Sequence, residues 1–237
     1  MTLDNKQVSL MFSGGLDSTT AAINLARDYD KVHLLTYYNG YGHFYIKNSQ
    51  KRAKELSRKI SGKFTHSIIS IEDLFKEIVI NKLPEDYLEY KSGFIWCLGC
   101  KMCMHTRSII YNLQNNIRFM ADGSSADSDE MVEQMALSVS LIAMFYEKYQ
   151  INYFVPVYKQ TRKEKIKVLK ELNFRMGLQI GDRFLGVQPK CVPGELYYMP
   201  YLIFNKAMDH EKLCVAKFIK DKHELAEQYI KERLLNG

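Results

Sequence analysis

Ser13-Gly14-Gly15-Leu16-Asp17-Ser18 is the stretch that decides the fold of this 237-residue chain. It follows an apolar run, Val8 to Phe12, and precedes a segment with helical spacing of apolar residues. A strand, a glycine-rich turn and a helix start direct backbone N–H groups and the helix dipole at an anion. Glycines also let a phosphate approach the backbone without a Cβ in the way. The stretch therefore predicts a phosphate loop, in which Ser13 and Ser18 add hydroxyl donors and Asp17 adds a carboxylate for a divalent ion.

Strand-like and helix-like patterns alternate over the first 173 residues. This alternation predicts an α/β fold, a doubly wound parallel five-stranded sheet covered by helices on both faces. Ligands of such sheets lie beyond the carboxyl ends of the strands, so the loops at 13–18, 38–43 and 122–129 should line one crevice. The predicted strands are 7–12, 31–38, 64–70, 117–121 and 151–158, and the predicted helices are 18–29, 45–60, 71–81, 100–115, 127–148 and 162–172.

The remaining segments have weaker patterns. Residues 82–96 contain Pro84 and several tyrosines and are predicted to form a loop over the site, and 174–204 have three prolines and no clear period. The end of the chain, 207–235, is predicted to form one or two basic amphipathic helices. We therefore expect a domain at 1–173 and a short helical C-terminal extension at 174–237 that packs on it.

Composition narrows the class of protein. Apolar residues make up 46% and charged residues 25% of the chain, which is typical of a folded globular protein. No apolar run is long enough to span a membrane, and the N-terminus lacks the pattern of a secretion signal, so we expect a cytoplasmic protein without membrane partners. The net charge is +6. The basic face of the predicted 45–60 helix is either solvated surface or an RNA-binding surface.

Five cysteines include three within seven residues, and these form two overlapping CxxC pairs, Cys97/Cys100 and Cys100/Cys103. Two thiolates at this spacing can bind one metal centre at a turn or a helix start, where the thiolate form is also favoured. With a distant cysteine such as Cys191 the set can hold an iron–sulfur cluster, and with four sulfurs it can hold zinc. The alternative is a group of reduced cysteines that pack as small apolar residues, which we prefer for Cys214.

The stretch from Ser13 to Ser18 resembles the SGGxDS signature of the PP-loop, or N-type, ATP pyrophosphatases, which split ATP between the α and β phosphates. The resemblance implies an adenine nucleotide alpha hydrolase-like fold of the HUP type, with ATP and Mg²⁺ as ligands. It implies catalytic importance for Asp17. The nucleotide-binding residues are then Ser13, Gly14, Gly15, Asp17 and Ser18, with the adenine against Thr36 and Tyr37. Asp127 follows the fourth predicted strand and either caps the next helix or helps to hold Mg²⁺.

The cysteines extend the resemblance to the sulfur-inserting tRNA thiolases of this superfamily. Thiolases with a [4Fe-4S] cluster bind it through a CxxC pair and one distant cysteine. Cys100 and Cys103, followed by Arg107, match that pair, and Cys191 follows 88 residues after Cys103. The additional Cys97 leaves the ligand set open among the four. In cluster-free thiolases a late cysteine carries a persulfide, a catalytic role that Cys191 can take.

These resemblances imply a reaction in two halves. ATP adenylates a carbonyl-type acceptor, a tRNA base or a small molecule, with release of pyrophosphate. Sulfur from sulfide or a persulfide carrier then displaces AMP. The sequence leaves open whether the enzyme acts alone or as a homodimer.

A second family offers an alternative. The chain also resembles the nitrile-forming synthase of 7-deazaguanine biosynthesis, which has a PP-loop and a zinc-binding cysteine group. Tyr41-Gly42-His43 is similar to a turn in that enzyme, although its cysteines come late in the chain and these come early. A nucleotide-binding module without turnover is a further alternative.

Overall fold

Five parallel strands form the central sheet of the protein in a computed structural model that describes residues 6–60, 62–174, 189–204, 208 and 210–235. The predicted doubly wound five-stranded sheet is confirmed. Its strand order is β4-β2-β1-β5-β6, so β1, which carries the phosphate loop, lies in the middle. The strands are β1 (Gln7–Met11), β2 (Lys31–Tyr38), β4 (Phe64–Ser70), β5 (Phe119–Ala121) and β6 (Asn152–Phe154).

Helices cover both faces of the sheet. Helices α1, α2 and α7 pack on one face, and α3, α5, α6 and α10 pack on the other. The helices are α1 (Leu16–Asp28), α2 (Asn48–Lys59), α3 (Glu72–Ile78), α4 (Leu83–Tyr90), α5 (Phe94–Gln114), α6 (Ala136–Glu147), α7 (Arg162–Glu171), α8 (Val192–Tyr197), α9 (Met199–Phe204) and α10 (Lys212–Leu235).

The side chains of β2 show how the sequence fills the apolar cores on the two faces of the sheet. Val32 and Leu34 point to the α1 face, and Leu35 and Tyr37 point to the α5 face; all four are buried. Successive side chains of a strand point to opposite faces, so a strand buried on both faces is apolar along its whole length. This continuous apolar pattern explains why the strand could be located from the sequence.

The predicted loop at 82–96 is wrong, because this segment forms α4 and the start of α5. Pro84 lies in the first turn of α4, where a proline removes no helical hydrogen bond. The helix ends at Lys91 in the left-handed conformation. Since α5 begins at Phe94, Cys97 lies in the first turn of this helix, and Cys100 and Cys103 lie further along it.

The predicted long helix at 127–148 is also too long. Two 3-10 turns, 126–128 and 132–134, precede α6, which begins at Ala136. The Ser125 hydroxyl accepts the N–H of Asp127 and so begins the first of these turns. A serine that bonds to the backbone two residues ahead favours a turn over a continuous helix.

The C-terminal segment contains more structure than predicted. Within 174–204, residues 189–204 include a short strand and the helices α8 and α9, while 175–188 lie outside the described residues. Helix α10 is a single helix, and its Val215, Phe218 and Ile219 are buried in the same core as α5. The proposed boundary at residue 173 stays a prediction. None of the described helices is long and apolar enough to cross a membrane.

A two-stranded antiparallel sheet lies apart from the main one. It pairs β3 (His43–Phe44) with β7 (Lys190–Cys191), and His43 lies opposite Cys191. The Val192 N–H donates to the Gly42 carbonyl at 3.0 Å and extends the pairing. This small sheet fixes the position of Cys191 relative to the loop that follows β2.

Candidate active site

The phosphate loop is held together by its own serines. The Ser18 hydroxyl accepts the Gly14 N–H at 3.1 Å and lies 3.2 Å from the Ser13 hydroxyl, which accepts the Gly15 N–H at 3.3 Å. Gly14 has φ +81°, and a Cβ there would lie 3.2 Å from the Arg52 Cβ. A glycine is therefore required by both conformation and space. The loop ends at the start of α1, where the helix dipole favours an anion.

Lys165 is the cation of this site, and it was not among the residues predicted from the sequence. Its side chain is 1% exposed, and its Nζ lies 2.8 Å from Asp17 Oδ1, 2.5 Å from the Ser125 hydroxyl and 3.6 Å from Asp127 Oδ2. A buried ammonium needs such partners because it has lost its hydration. Lys165 and Leu169 are the buried residues of α7. A lysine on the apolar side of a helix is the signal that could have identified it.

Asp17 and Asp127 flank this lysine from two loops. Their side chains are 41% and 44% exposed, so both carboxylates also face solvent. Asp127 does not cap a long helix, since that helix is absent. Its carboxylate instead lies 3.6 Å from the Lys165 ammonium, which also binds Asp17, and its role in holding Mg²⁺ stays a prediction. Two exposed carboxylates are oxygen ligands of the kind that Mg²⁺ prefers.

The loop after β5 packs directly against the phosphate loop. A Cβ on Gly123 would lie 2.9 Å from the Ser18 nitrogen, so the contact is possible only for glycine. The neighbouring Asp122 is buried and accepts hydrogen bonds from Lys101 at 2.6 Å and from the Tyr153 hydroxyl at 2.8 Å. Burial alone would raise the pKa of the Asp122 carboxyl, but Lys101, His105 and the Ser124 N–H hold it well below its usual range. Asp122 therefore stays ionised and connects α5 to the phosphate loop.

Thr36 and Tyr37 point to opposite faces of the sheet. The Thr36 hydroxyl donates to the Phe12 carbonyl at 2.5 Å and lies 2.9 Å from His66 Nε2. Tyr37 is buried in the other core, and its hydroxyl bonds to Ser108 at 2.7 Å. Thr36 thus lies on the side of the phosphate loop, whereas the Tyr37 ring is enclosed between the sheet and α5. The predicted position of the adenine, against the second strand near Thr36 and Tyr37, stays a prediction.

His66 also borders a cavity of about 720 Å³ beside α2. Such a volume is in the range of small-molecule sites. It is lined by Gln50, Ala53, Lys54, Ser57, Arg58 and His66.

Cys100 lies beside the loop that follows β2. Its sulfur accepts a hydrogen bond from Asn39 Nδ2 at 3.4 Å and lies 3.9 Å from His43 Nε2. The Asn39 N–H donates to His43 Nδ1 at 3.3 Å and orients the ring. Burial lowers the pKa of His43 to about 4, against a weaker opposite effect of a hydrogen bond to the Tyr37 backbone. The imidazole is therefore neutral at pH 7, which is the form that binds metals.

Cys97 and Cys191 meet beside α8. A Cβ on Gly194 would lie 3.4 Å from the Cys97 sulfur and 3.5 Å from the Cys191 sulfur. Burial raises the pKa of the Cys97 thiol, and Glu133, Cys191 and Cys100 raise it further. The structure thus brings Cys97, Cys100 and Cys191 to one place. We refer to these three residues as the cysteine group.

Cys103 lies elsewhere. It is fully buried in the core, one helical turn further along α5 than Cys100. Burial also raises the pKa of Cys103 well above its usual range. The resemblance to thiolases paired Cys100 with Cys103 and left Cys97 unmatched. In the structure Cys97, and not Cys103, lies with Cys100 and Cys191. Cys214 lies on α10 and bonds to Glu211 at 3.3 Å.

The donor set suits a soft metal, although its atoms are not arranged around one. No three His, Cys, Asp or Glu side chains within the described ranges are close enough to hold a metal ion as they stand. Burial also raises the pKa of Cys100 and Cys191, so the expected stabilisation of thiolates at a helix start is absent. A bound cation would supply the missing positive charge. Three sulfurs with a neutral imidazole beside them are chemically a set for zinc or for an iron–sulfur cluster.

Comparisons with known proteins agree with this geometry. The family model described as "QueC: Queuosine biosynthesis protein QueC" matches residues 7–107, less than half of the chain. This range includes the phosphate loop and all three cysteines of α5.

Two solved structures share the fold at low sequence identity. A 4-thiouridine synthetase in complex with RNA and ATP has a TM-score of 0.55 and 14% identity, and the match covers 95% of this chain and 53% of that one. An NMN synthetase from Francisella tularensis has a TM-score of 0.50 and 12% identity, and the match covers 94% of this chain and 86% of that one. At these identities the likeness shows the fold alone.

The family match and the phosphate loop both point to the same kind of activity. They indicate an ATP-dependent enzyme that forms AMP and pyrophosphate, either a ligase or a sulfurtransferase. The phosphate loop and the family match over residues 7–107 together point to the PP-loop ATP pyrophosphatase superfamily.

Proposed function

We propose that the protein adenylates a carbonyl oxygen of its acceptor and then delivers sulfur to the activated carbon. The observation that carries this proposal is the position of the cysteine group. Cys97 and Cys100 form a CxxC pair that meets one distant cysteine, Cys191, at the end of the sheet where the phosphate loop lies. This is the pattern of the cluster-binding thiolases, shifted by one turn from the pair that the sequence analysis matched.

The first half of the reaction uses the phosphate loop. The start of α1 and the Ser13 and Ser18 hydroxyls bind the phosphates, and Lys165 fixes Asp17 beside them. The acceptor oxygen attacks the α-phosphorus, the bond to the β-phosphate oxygen breaks, and pyrophosphate leaves. Fixed donors stabilise the charge that develops on the phosphate oxygens. When bound by Asp17 and Asp127, Mg²⁺ would neutralise part of the polyphosphate charge.

The second half of the reaction belongs to the cysteine group. A sulfur nucleophile attacks the activated carbon, and AMP leaves with the former carbonyl oxygen. Sulfide or a persulfide carrier supplies the sulfur. Cys97, Cys100 and Cys191 would hold a cluster through three thiolates, and sulfide would then be the nucleophile. In the alternative route, a persulfide carrier passes its outer sulfur to Cys191, and this sulfur attacks the activated carbon. The neighbouring Cys97 thiol then cleaves the S–S bond to release the product, and the resulting Cys97–Cys191 disulfide is reduced by an external thiol. Asn39 donates an N–H to the Cys100 sulfur and so orients it.

A second candidate follows from the family match. The QueC model covers the cysteines of α5, which favours a ligase of the 7-cyano-7-deazaguanine type with a zinc site. His43 lies 3.9 Å from Cys100 and would complete a tetrahedral set of three cysteines and one histidine. Both candidates share the adenylation step and differ in the second half.

The shared step has a direct test. Asp17→Asn and Lys165→Met should each lower pyrophosphate release by at least about a hundredfold, because each removes a charge that is fixed at the phosphates. Lys167→Met is the matched control. It lies on the same helix but is exposed and pairs with Glu171 at 4.0 Å, so with small-molecule acceptors its activity should equal that of the wild type.

The assay would measure pyrophosphate released from ATP in the presence of candidate acceptors with an activatable carbonyl. Full activity of Asp17→Asn would contradict the assignment of the phosphate loop. Equal losses in Lys167→Met and Lys165→Met would show that the effect of Lys165 is not specific to the site.

A further inference from the structure

The net positive charge of the protein is concentrated on two helices. Helix α2 carries five Lys or Arg residues and one Glu, and α7 carries five and two acidic residues. Their combined charge of +7 exceeds the +6 of the whole chain, so the rest of the molecule is nearly neutral. We refer to the exposed sides of α2 and α7 as the basic face.

Both helices belong to one surface. Lys59 at the end of α2 donates to the carbonyls of Leu172 and Asn173, which follow α7, at 2.9 Å each. The Phe174 ring lies under the Arg52 guanidinium at 5.6 Å and the Lys59 ammonium at 5.1 Å. The basic face is therefore continuous from one helix to the other.

The phosphate loop lies between the beginnings of these helices. Gly14 packs against Ser49 and Arg52 of α2, and Lys165 of α7 reaches Asp17 from the other side. Exposed cations flank the loop on both sides. They are Lys47, Lys51 and Lys54 near the start of α2, and Lys159, Arg162 and Lys163 near the start of α7.

These six cations differ in their ion pairs from the cations of α10, on the other face of the sheet. On α10, Lys222 pairs with Asp86 at 2.5 Å, Lys217 pairs with Glu89, and Arg233 pairs with Asp73 at 2.8 Å. None of the six cations that flank the phosphate loop forms an ion pair with another described residue. Within the described ranges, their charge is thus left for an external anion.

We propose that the basic face binds the phosphate backbone of an RNA acceptor and presents one of its bases at the phosphate loop. The proposal rests on the proposed function, and it names RNA rather than a free small molecule as the substrate class. A row of unpaired cations on two adjacent helices matches a polyphosphate chain, whose binding is driven by release of counterions. The cavity beside α2, lined in part by Lys54 and Arg58, offers space for an unstacked base.

A membrane surface fits the basic face less well. Binding to a bilayer needs exposed apolar side chains beside the cations. The exposed large apolar residues of the described chain include none on α2 or α7, and the two that come just before Lys47, Phe44 and Tyr45, are aromatic. Two aromatic rings are a small apolar area for a bilayer, whereas aromatic side chains beside cations suit the bases and backbone of a nucleic acid.

The test uses two charge-reversal variants with the same net charge. Lys47→Glu/Lys51→Glu/Lys163→Glu changes the basic face, and Lys212→Glu/Lys220→Glu/Lys231→Glu changes exposed lysines of α10. Lys47 and Lys163 begin their helices, where a glutamate is favourable, so the first variant should fold. Binding of an unmodified tRNA transcript is measured by fluorescence anisotropy between 50 and 300 mM salt, roughly the range over which phosphate contacts are resolved.

We expect the first variant to bind the transcript at least about tenfold more weakly and to lose about two units of the salt slope, while the α10 variant binds like the wild type. Equal losses in both variants, or no loss in either, would overturn the proposal. It would also be overturned if poly-glutamate or vesicles of phosphatidylcholine and phosphatidylserine bound the basic face as tightly as the transcript.

A separate measurement distinguishes failure of this proposal from failure of the proposed function. Pyrophosphate release with small carbonyl acceptors is followed in the wild type and in both variants. Robust turnover without binding of the transcript would overturn the RNA substrate and leave the adenylation step supported.

Discussion

Lys165 shows at the scale of one residue how a buried charge organises this active site. Lys165 lies on the buried side of α7. Its ammonium donates hydrogen bonds to Asp17 and Ser125, which belong to two different loops. Removing a partner from a buried charge is costly, because the charge cannot regain its hydration. Lys165 thus fixes the two loops against each other before any nucleotide binds. Two carboxylates facing one ammonium also leave a surplus negative charge, which suits a divalent cation.

The identity of the sulfur ligands is likewise decided residue by residue. An α-helix rises 1.5 Å per residue, so Cys97 and Cys103 are separated by about 9 Å along the axis of α5. They cannot both meet Cys191 without bending the helix. The position of Cys191 selects Cys97 and Cys100, and Cys103 remains in the core.

This selection predicts how metal content responds to substitution. Cys97→Ser, Cys100→Ser and Cys191→Ser should each lose most of the metal that the wild type binds, because each removes one sulfur from the cysteine group. Cys103→Ser is the matched control and should keep its metal. Anaerobic purification followed by metal and sulfide analysis gives the answer.

His43→Ala separates the two candidate centres in the same assay. Loss of zinc from this variant would support a site of three cysteines and one histidine. An unchanged iron and sulfide content would support a cluster held by three thiolates. Loss of metal from Cys103→Ser but not from Cys97→Ser would contradict the cysteine group as defined here.

At the scale of elements, the loop after β5 is the connection between the two halves of the site. Asp122 receives hydrogen bonds from Lys101 of α5 and from Tyr153 of β6. One residue later, Gly123 touches the backbone of Ser18. Asp122 and Gly123 thus connect α5 to the phosphate loop through direct contacts.

Gly123→Ala tests this contact. The new Cβ would lie 2.9 Å from the Ser18 nitrogen, so the two loops must separate. We expect a loss of about 1–3 kcal/mol in the free energy of unfolding, typical of overpacking, together with slower pyrophosphate release. Urea unfolding and the pyrophosphate assay measure both effects.

Gly194→Ala is the control for a glycine replaced without overlap. Its Cβ would make ordinary contacts at 3.4 and 3.5 Å, and it lies within α8. The free energy of unfolding should stay the same or rise slightly, since alanine favours a helix. Equal stability of Gly123→Ala and the wild type would show that the loops separate at no cost.

At the scale of the whole molecule, several histidines are kept neutral by burial. Burial, with a smaller contribution from Lys31, lowers the pKa of His33 to about 4. Burial and Lys148 lower the pKa of His223 to about 4 against the opposite effect of Glu227. Burial also lowers the pKa values of His66 and His105.

These lowered values predict loss of stability in acid. An unfolded histidine takes up a proton near pH 6.5, whereas the folded one resists protonation until about pH 4. The unfolded state then binds more protons, so the free energy of unfolding falls as the pH falls from about 6.5 towards 4. For His33 alone the loss between pH 7 and 5 should be about 1–2 kcal/mol.

Urea unfolding at pH 7.5, 6 and 5 measures this effect. His33→Gln removes the titrating group and retains hydrogen-bonding capacity toward Tyr111 and Gln7, the partners of His33. Its stability should depend less steeply on pH than that of the wild type. Identical pH profiles for the two proteins would contradict a contribution from His33.

The sheet and the phosphate loop could be predicted because their signals are local. Ser13 to Ser18 is one short stretch, and each strand is marked by its own run of apolar residues. The contacts of Lys165, Asn39 and His43 could not be predicted, since each depends on residues far away in the sequence. The choice between Cys97 and Cys103 depended on β7, whose partner β3 is more than a hundred residues away.

The pairing of β3 with β7 also has a consequence for the order in which the protein is assembled. The phosphate loop, the strands on both sides of β1 and the helix that carries Lys165 have all been synthesised before β7 begins at Lys190. The cysteine group must wait for Cys191, because β7 can join β3 only after that late segment has emerged. Closing so long a loop is entropically unfavourable until most of the molecule has folded. Assembly of the cysteine group is thus a late event in the folding of each molecule, and it follows synthesis of the elements that form the phosphate loop.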